Sequence, residues 1–272
     1  MRAALLQMVS SADVQDNLTT AAGLLLQAAN QQAELAVLPE YFCLMGHKDT
    51  DKLHIAEPFG EGPIQTHLSA LAAQHGVWLV AGSMPLAVAG DSQRVTNSCL
   101  VFDPTGACVA RYDKIHLFYF DNGKERYDEA CLQRAGDTSV CFDLPSRDGH
   151  VWRIGLSICF DVRFPVHYQR LAGMGAHMVL VPSAFTHTTG QSHWELLVRA
   201  RALDNLVWVG AAAQAGEHDN GRRTWGHSMW VDPWGQVLAC QPQNAACLVA
   251  DLSMQTLRER RAQMPALNAA SM

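Results

Sequence analysis

At 272 residues, with 49% hydrophobic and 17% charged side chains, the chain has the make-up of an ordinary globular protein with room for a sizeable core, which excludes intrinsic disorder. A formal charge of -6 leaves no basic face for phosphates, so nucleic acid is not an expected partner, and the one dense cationic run, "RERR" at Arg258 to Arg261, reads as a solvated helix face. No apolar run approaches the roughly 18 residues of a membrane span, "AALLQMV" after Arg2 is short and has no cleavage site, and eight scattered cysteines without a C-x-x-C pair fit a reduced, cytoplasmic setting.

In chain order, "AALLQM" predicts a strand, "NLTTAAGLLLQAANQQ" a helix, and "ELAVLPE" a buried strand ending at Pro39 and Glu40. "GPIQTHLSALAAQHG" predicts a helix opened by Pro63 and closed by Gly76, followed by the strand "VWLVAG". A hairpin, "NSCLVFDPTGACVARY", turns at Asp103 to Gly106, where proline suits the second turn position and glycine the fourth. The second half repeats this order. "RIGLSICF" is a strand, "FPVHYQRLAGMGA" a helix, and "AHMVLVPS" matches "AELAVLPE" in its apolar pattern down to the proline. The helix "SHWELLVRARALDNL", the strand "VWVGAA" and the hairpin "HSMWVDPWGQVLAC" complete the second copy. Each copy should form a mixed sheet with helices on one face, and the two bare faces should pack together. The expected fold is therefore an α/β, four-layer α-β-β-α sandwich with an internal pseudo-twofold repeat.

That layout brings three reactive side chains to strand ends, where ligands of such sheets collect. Cys159 ends an apolar strand. Taken alone it reads as packing, but the corner "FDVRFP" turns the chain there, and the Phe160 N-H then faces whatever the sulfur attacks. Glu40 is either an exposed strand-end acid or a partly desolvated general base. Lys114 is either a surface lysine paired with Asp113 or an ammonium held among the apolar residues of "IHLF". Ser157, in "GLSIC", lacks the second glycine of a nucleophile elbow. Twelve histidines show no metal-ligand spacing, and no metal site or organic cofactor is expected.

"LPEYF" at Leu38 to Phe42, "YDKIHLF" at Tyr112 to Phe118 and "SICFDVRFP" at Ser157 to Pro165 resemble, in order, the three signature segments of the nitrilase superfamily of carbon-nitrogen hydrolases. "PSAFTHTTGQSHWELLVRARALDN" and "GHSMWVDPWGQVLA" extend the resemblance, to the Nit branch, so that it covers residues 1–251, with a C-terminal helix and tail over 252–272. The resemblance implies Cys159 as nucleophile, Glu40 as base, and Lys114 with the Phe160 N-H as oxyanion partners. It also implies a supporting glutamate before the cysteine strand, for which both Glu125 and Glu129 are available and the spacing favours Glu129.

The implied activity is cofactor-free hydrolysis of a small carboxylate-bearing amide to acid and ammonia. Deaminated glutathione is favoured over the omega-amides of 2-oxo acids because of the segment "AAAQAGEHDNGRRTWGHSMW"; nitrile hydrolysis or a non-enzymatic role in protein contacts are the weaker alternatives. A substrate carboxylate calls for an arginine, and Arg163 is the nearest on the cysteine corner, unless it braces Asp161 instead. Phe185 and Thr186, at the end of the strand equivalent to that of Glu40, should line the opposite wall. A homodimer or higher oligomer is expected through "FPVHYQRLAG" and "SHWELLVRARALDN", with Trp194, Leu196 and Leu197 in excess of one buried stripe.

Overall fold

Strand positions that alternate between two apolar environments dictate the layering. In the computed structural model, which describes residues 1–265, Ala3 and Leu5 of β1 (Arg2–Gln7) enter one core, while Ala4 and Leu6 enter a second. Leu35 and Val37 of β2 (Leu35–Val37) join the first core, and Ala36 joins the second. The second core is closed by α1 (Val14–Asn30), through Leu18, Ala21, Leu24, Leu25 and Ala28, and by α3 (Pro63–His75), through Ile64, Leu68, Leu71 and Ala72. A short helix, α2 (Asp51–Ile55), lies between them in the chain. These spacings of three and four put one apolar stripe of each helix on the sheet.

The first sheet runs on through β3 (Trp78–Val80), β4 (Met84–Val88), β5 (Asp91–Phe102) and β6 (Cys108–Asp113). A small ribbon, β7 (Tyr119–Asp121) with β8 (Arg126–Asp128), follows before β9 (Cys141–Pro145) and β10 (Val151–Leu156). Then come α4 (Pro165–Gly173), β11 (Met178–Leu180), α5 (His187–Asn205) and β12 (Trp208–Ala211). The chain ends with a second ribbon, β13 (Ala215–Glu217) with β14 (Arg223–Trp225), then β15 (Ser228–Val231), β16 (Val237–Gln241), β17 (Ala246–Asp251) and α6 (Met254–Gln263).

The two large sheets have matching plans. β1, β2 and β3 are parallel, as are β10, β11 and β12, and each trio is flanked by antiparallel strands. Leu5, Val37, Val80 and Val101 from one sheet share a core with Trp152, Ile154, Leu156 and Val179 from the other. The four-layer sandwich is thus the observed architecture. One exchange links the halves: β9, which follows the first repeat, pairs with β10 of the second sheet, whereas β17, which follows the second repeat, pairs with β1 of the first.

Several local expectations need correction. The cysteine strand stops at Leu156 rather than Phe160, because Cys159 enters a 3-10 turn, Cys159–Arg163, at a φ of 47°. Trp194 is fully buried, its indole donating to the His227 carbonyl at 2.8 Å, and Leu197 packs partly buried against the core, so only Leu196 of the three points outward, at 70% exposed. The "RERR" run is not a purely solvated face. Arg261 donates to the carbonyls of Leu206 and Ala176 at 3.0 and 2.7 Å, Arg260 stacks 5.0 Å from the Trp234 ring, and the same helix buries Met254 and Leu257 in the shared core. The tail from 266 onward lies outside the described residues. Among the described residues no helix is long and apolar enough to cross a membrane.

Candidate active site

Glu40 follows β2 in a loop that lies close against Gly82, whose φ of 51° and lack of a Cβ allow the approach: a Cβ there would collide with the Pro39 carbonyl oxygen. The Glu40 side chain is 2% exposed and fully engaged. Its Oε1 accepts from Asn97 Nδ2 and Lys114 Nζ, both at 2.9 Å, and its Oε2 accepts from the Ala184 N-H at 2.9 Å. Lys114, 1% exposed, also donates to Glu129 Oε2 at 2.8 Å. The expected alternative of a surface pair with Asp113 is excluded, since Asp113 is taken by Arg111.

Glu129 in turn accepts from the Tyr41 hydroxyl at 3.1 Å and the Phe118 N-H at 2.7 Å. Glu125 instead meets the Thr188 hydroxyl at 3.0 Å, so of the two glutamates Glu129 is the one joined to Lys114. Burial alone would depress the lysine and raise the glutamate. The ion pairs outweigh it: Glu129 and Glu40 hold Lys114 above the ordinary lysine range, and Lys114 holds Glu129 below the ordinary carboxylate range. Both groups therefore stay charged at neutral pH.

Cys159 sits beside this cluster, 7% exposed, its amide donating to the Pro182 carbonyl at 2.9 Å. Burial, then the Glu40 carboxylate, push its pKa well above the ordinary thiol range, with Lys114 pulling the other way. Its resting form is the neutral thiol. The turn that carries it is fixed from behind by Asp161, which is fully buried. Asp161 accepts from the Tyr112 hydroxyl at 2.6 Å, the Ile158 N-H at 2.9 Å and the His116 N-H at 3.0 Å, and His116 Nδ1 lies 2.7 Å away. Burial would raise this carboxyl, but the hydrogen bonds from His116 and Tyr112 and the nearby His167 keep it below its usual range.

A narrow cavity opens over the thiol. Phe118, Phe160, Phe185, Thr186 and Arg222 complete a wall that already includes Glu40, Lys114, Glu129 and Cys159. Phe160 packs edge-on to Phe118 at 5.1 Å between centroids. Thr186 caps α5, its hydroxyl accepting from the Thr189 N-H at 3.3 Å. The expectation for Arg163 fails here. Arg163 is not on the cavity wall and does not brace Asp161; its guanidinium reaches His193 Nδ1 at 3.1 Å and lies 5.8 and 5.3 Å from the Phe160 and Phe185 rings. Ser157 faces away, donating to the Leu180 carbonyl at 2.8 Å and bonded to the Tyr168 hydroxyl at 2.8 Å, with no base beside it.

The model of the family described as carbon-nitrogen hydrolase matches residues 2–262. The chain belongs to the carbon-nitrogen hydrolase family. It is 38% identical over 266 residues to a deaminated glutathione amidase of Yersinia enterocolitica, covering 97% of this chain and 91% of that one. It is 39% identical over 267 residues to the omega-amidase NIT2 of Mus musculus, covering 98% and 93%. Among solved structures, the NitFhit protein of C. elegans superposes with a TM-score of 0.90 at 34% identity, over 98% of this chain and 64% of that one.

For this carbon-nitrogen hydrolase, sequence reading missed Asn97, Tyr41 and Arg222. Tyr41 stands inside the quoted "LPEYF" and adopts a φ of 52°, which its position next to Glu40 would not announce. Asn97 opens the hairpin stretch quoted above, and only the pairing of β5 with its neighbours aims it at Glu40. Arg222 comes from a ribbon that left no periodic signal.

Proposed function

We propose that the chain is a cysteine-dependent amidase, and that the observation carrying this reading is the engagement of Glu40 and Lys114 with each other directly beside the Cys159 thiol. Glu40 takes the thiol proton as sulfur attacks the amide carbon. The carbonyl electrons move to oxygen, which is met by the third, uncommitted N-H of Lys114 and by the Phe160 N-H, an amide that precedes the first hydrogen bond of its 3-10 turn. Collapse expels the amine, which leaves with the proton from Glu40. Water then gives a proton to the same carboxylate and attacks the thioester; the second collapse frees the acid and returns a proton to sulfur.

The favoured substrate is deaminated glutathione, with omega-amides of 2-oxo acids second. Both names come from relatives of nearly equal identity. A second hollow adjoins the inner cavity and shares Phe118, Glu129 and Arg222 with it, which offers a substrate longer than a primary amide a further surface to lie against. In deaminated glutathione the leaving group is a dipeptide amine, so the expected product ammonia holds only for an omega-amide. Wild-type enzyme is expected to release amine or ammonia from both, and activity should fall in step with iodoacetamide labelling of Cys159 while fluorophosphonates have no effect. Inactivation by a fluorophosphonate, or full activity with Cys159 alkylated, would refute the cysteine reading.

The same reading includes a homodimer in a reducing cytoplasm. All eight cysteines are free thiols, and Val166 on α4 with Leu196 and Leu203 on α5 leave an apolar outer face beyond what their own core uses. Light scattering at micromolar concentration should give at least twice the monomer mass, and Leu196→Glu with Leu203→Glu should lower it to one. A monomer mass for the wild type would remove the dimer.

A further inference from the structure

Among the described residues, the cavity wall contains one cation that no carboxylate engages. Lys114 is committed to Glu40 and Glu129, Lys52 lies 3.3 Å from Asp49 and 4.5 Å from the centre of the Tyr41 ring, and Arg163 is turned to His193. Arg222 differs. Its main chain is rigidly held: its N-H donates to Asn220 Oδ1 at 2.8 Å, and its carbonyl accepts from the His218 N-H at 2.9 Å. The turn between β13 and β14 is itself fastened to the opposite half, with Asn220 Nδ2 donating to the Gly46 carbonyl at 2.7 Å and Asp219 accepting from the Ala12 N-H at 3.0 Å. The guanidinium, among the described residues, faces the Tyr127 ring at 4.9 Å rather than a carboxylate, and its Nε is buried without an acceptor. A charged donor left this way costs free energy until a ligand supplies the missing oxygen.

Arg222 also stands in the wall common to the inner cavity and the outer hollow. A group held there sits where the two spaces meet, with Cys159 on the inner wall and Glu129 on the wall they share. We propose that Arg222 is the subsite for the substrate's acyl-side carboxylate, taking both oxygens on its planar fork and so setting the distance from that acid to the attacked carbon. A single carboxylate suits the place better than a doubly charged group, because Glu40 and Glu129 already put two negative charges at the inner end against one from Lys114. The inference rests on the amidase reading.

The test compares glutaramate and succinamate with the neutral butanamide. In wild type the acid amides should be preferred, and Arg222→Met should reduce the glutaramate-to-butanamide ratio of kcat/KM by about 100-fold, chiefly through KM. Arg222→Lys should restore part of that ratio, while Arg163→Met should lower both substrates alike. Glutarate binding to the Cys159→Ala protein, measured by calorimetry, should be lost on adding Arg222→Met. Equal losses on both amides with Arg222→Met, or a selective loss with Arg163→Met instead, would overturn the subsite. Failure of the wild type on all three amides and on deaminated glutathione would instead refute the amidase reading itself, so the two failures are separable.

Discussion

Cys159→Ala is expected to lower kcat by about 10⁶-fold while the protein keeps its fold. The size follows from the chemistry: without sulfur no thioester forms, and Glu40, Lys114 and the Phe160 N-H have no covalent step to assist. Retention of the fold follows from the packing. The side chain is small, the turn is held by the Asp161 hydrogen bonds rather than by the thiol, and removing one sulfur from a site already open to a cavity costs little. Amine release together with thermal unfolding checks both halves. Turnover within tenfold of wild type would sink the assignment of the nucleophile.

Glu40→Gln should cost about 10⁴-fold in kcat, at the upper end for a general base, because one carboxylate serves both proton transfers. It should also disturb the cluster. A glutamine accepts through one oxygen only, so its amide nitrogen must face either Lys114 Nζ and Asn97 Nδ2 or the Ala184 N-H, all of them donors. Lys114→Ala removes the cation between Glu40 and Glu129, leaves two buried carboxylates facing each other, and should destabilise the protein by about 3–5 kcal/mol as well as slowing it. In a double-mutant cycle on kcat the combined loss should fall well short of the product of the single losses. Multiplicative losses would mean that the two residues act independently, against a shared mechanism.

The parts legible in the sequence were those written in local chemistry. Asp103 to Gly106 and Asp232 to Gly235 turn as their proline and glycine require, each glycine N-H reaching the aspartate carbonyl at 2.9 Å. Glu40 and Lys114 stood out because a charged residue interrupts an apolar run, and Cys159 because a strand gives way to a corner. Less legible were elements too short to show a period. β13 and β14 have three residues each, and β4 hides behind a strand it only partly covers.

Arg163 misled because nearness in the chain is not nearness to the cavity: after the left-handed φ at Cys159 the next residues wind into a 3-10 turn, and the fourth points at His193. Arg222 could not be read at all. Nothing in "GRRTWG" distinguishes it from Arg223, and its importance comes from a turn pinned to loops some 175 and 210 residues earlier in the chain.

The exchange of β9 and β17 between the sheets carries a consequence for how the molecule is made. Arg2 pairs with Asp251, 249 residues later, so this edge of β1 stays open until β17 has been synthesised. Contacts of that sequence separation are slow to close, and an unpaired strand edge is a liability while it waits. Neither half can complete its own sheet alone. Glu40 belongs to the first half and Cys159 to the second, so the cluster forms only where the two sheets pack against each other. Bringing the two side chains together therefore depends on long-range packing that neither half supplies by itself.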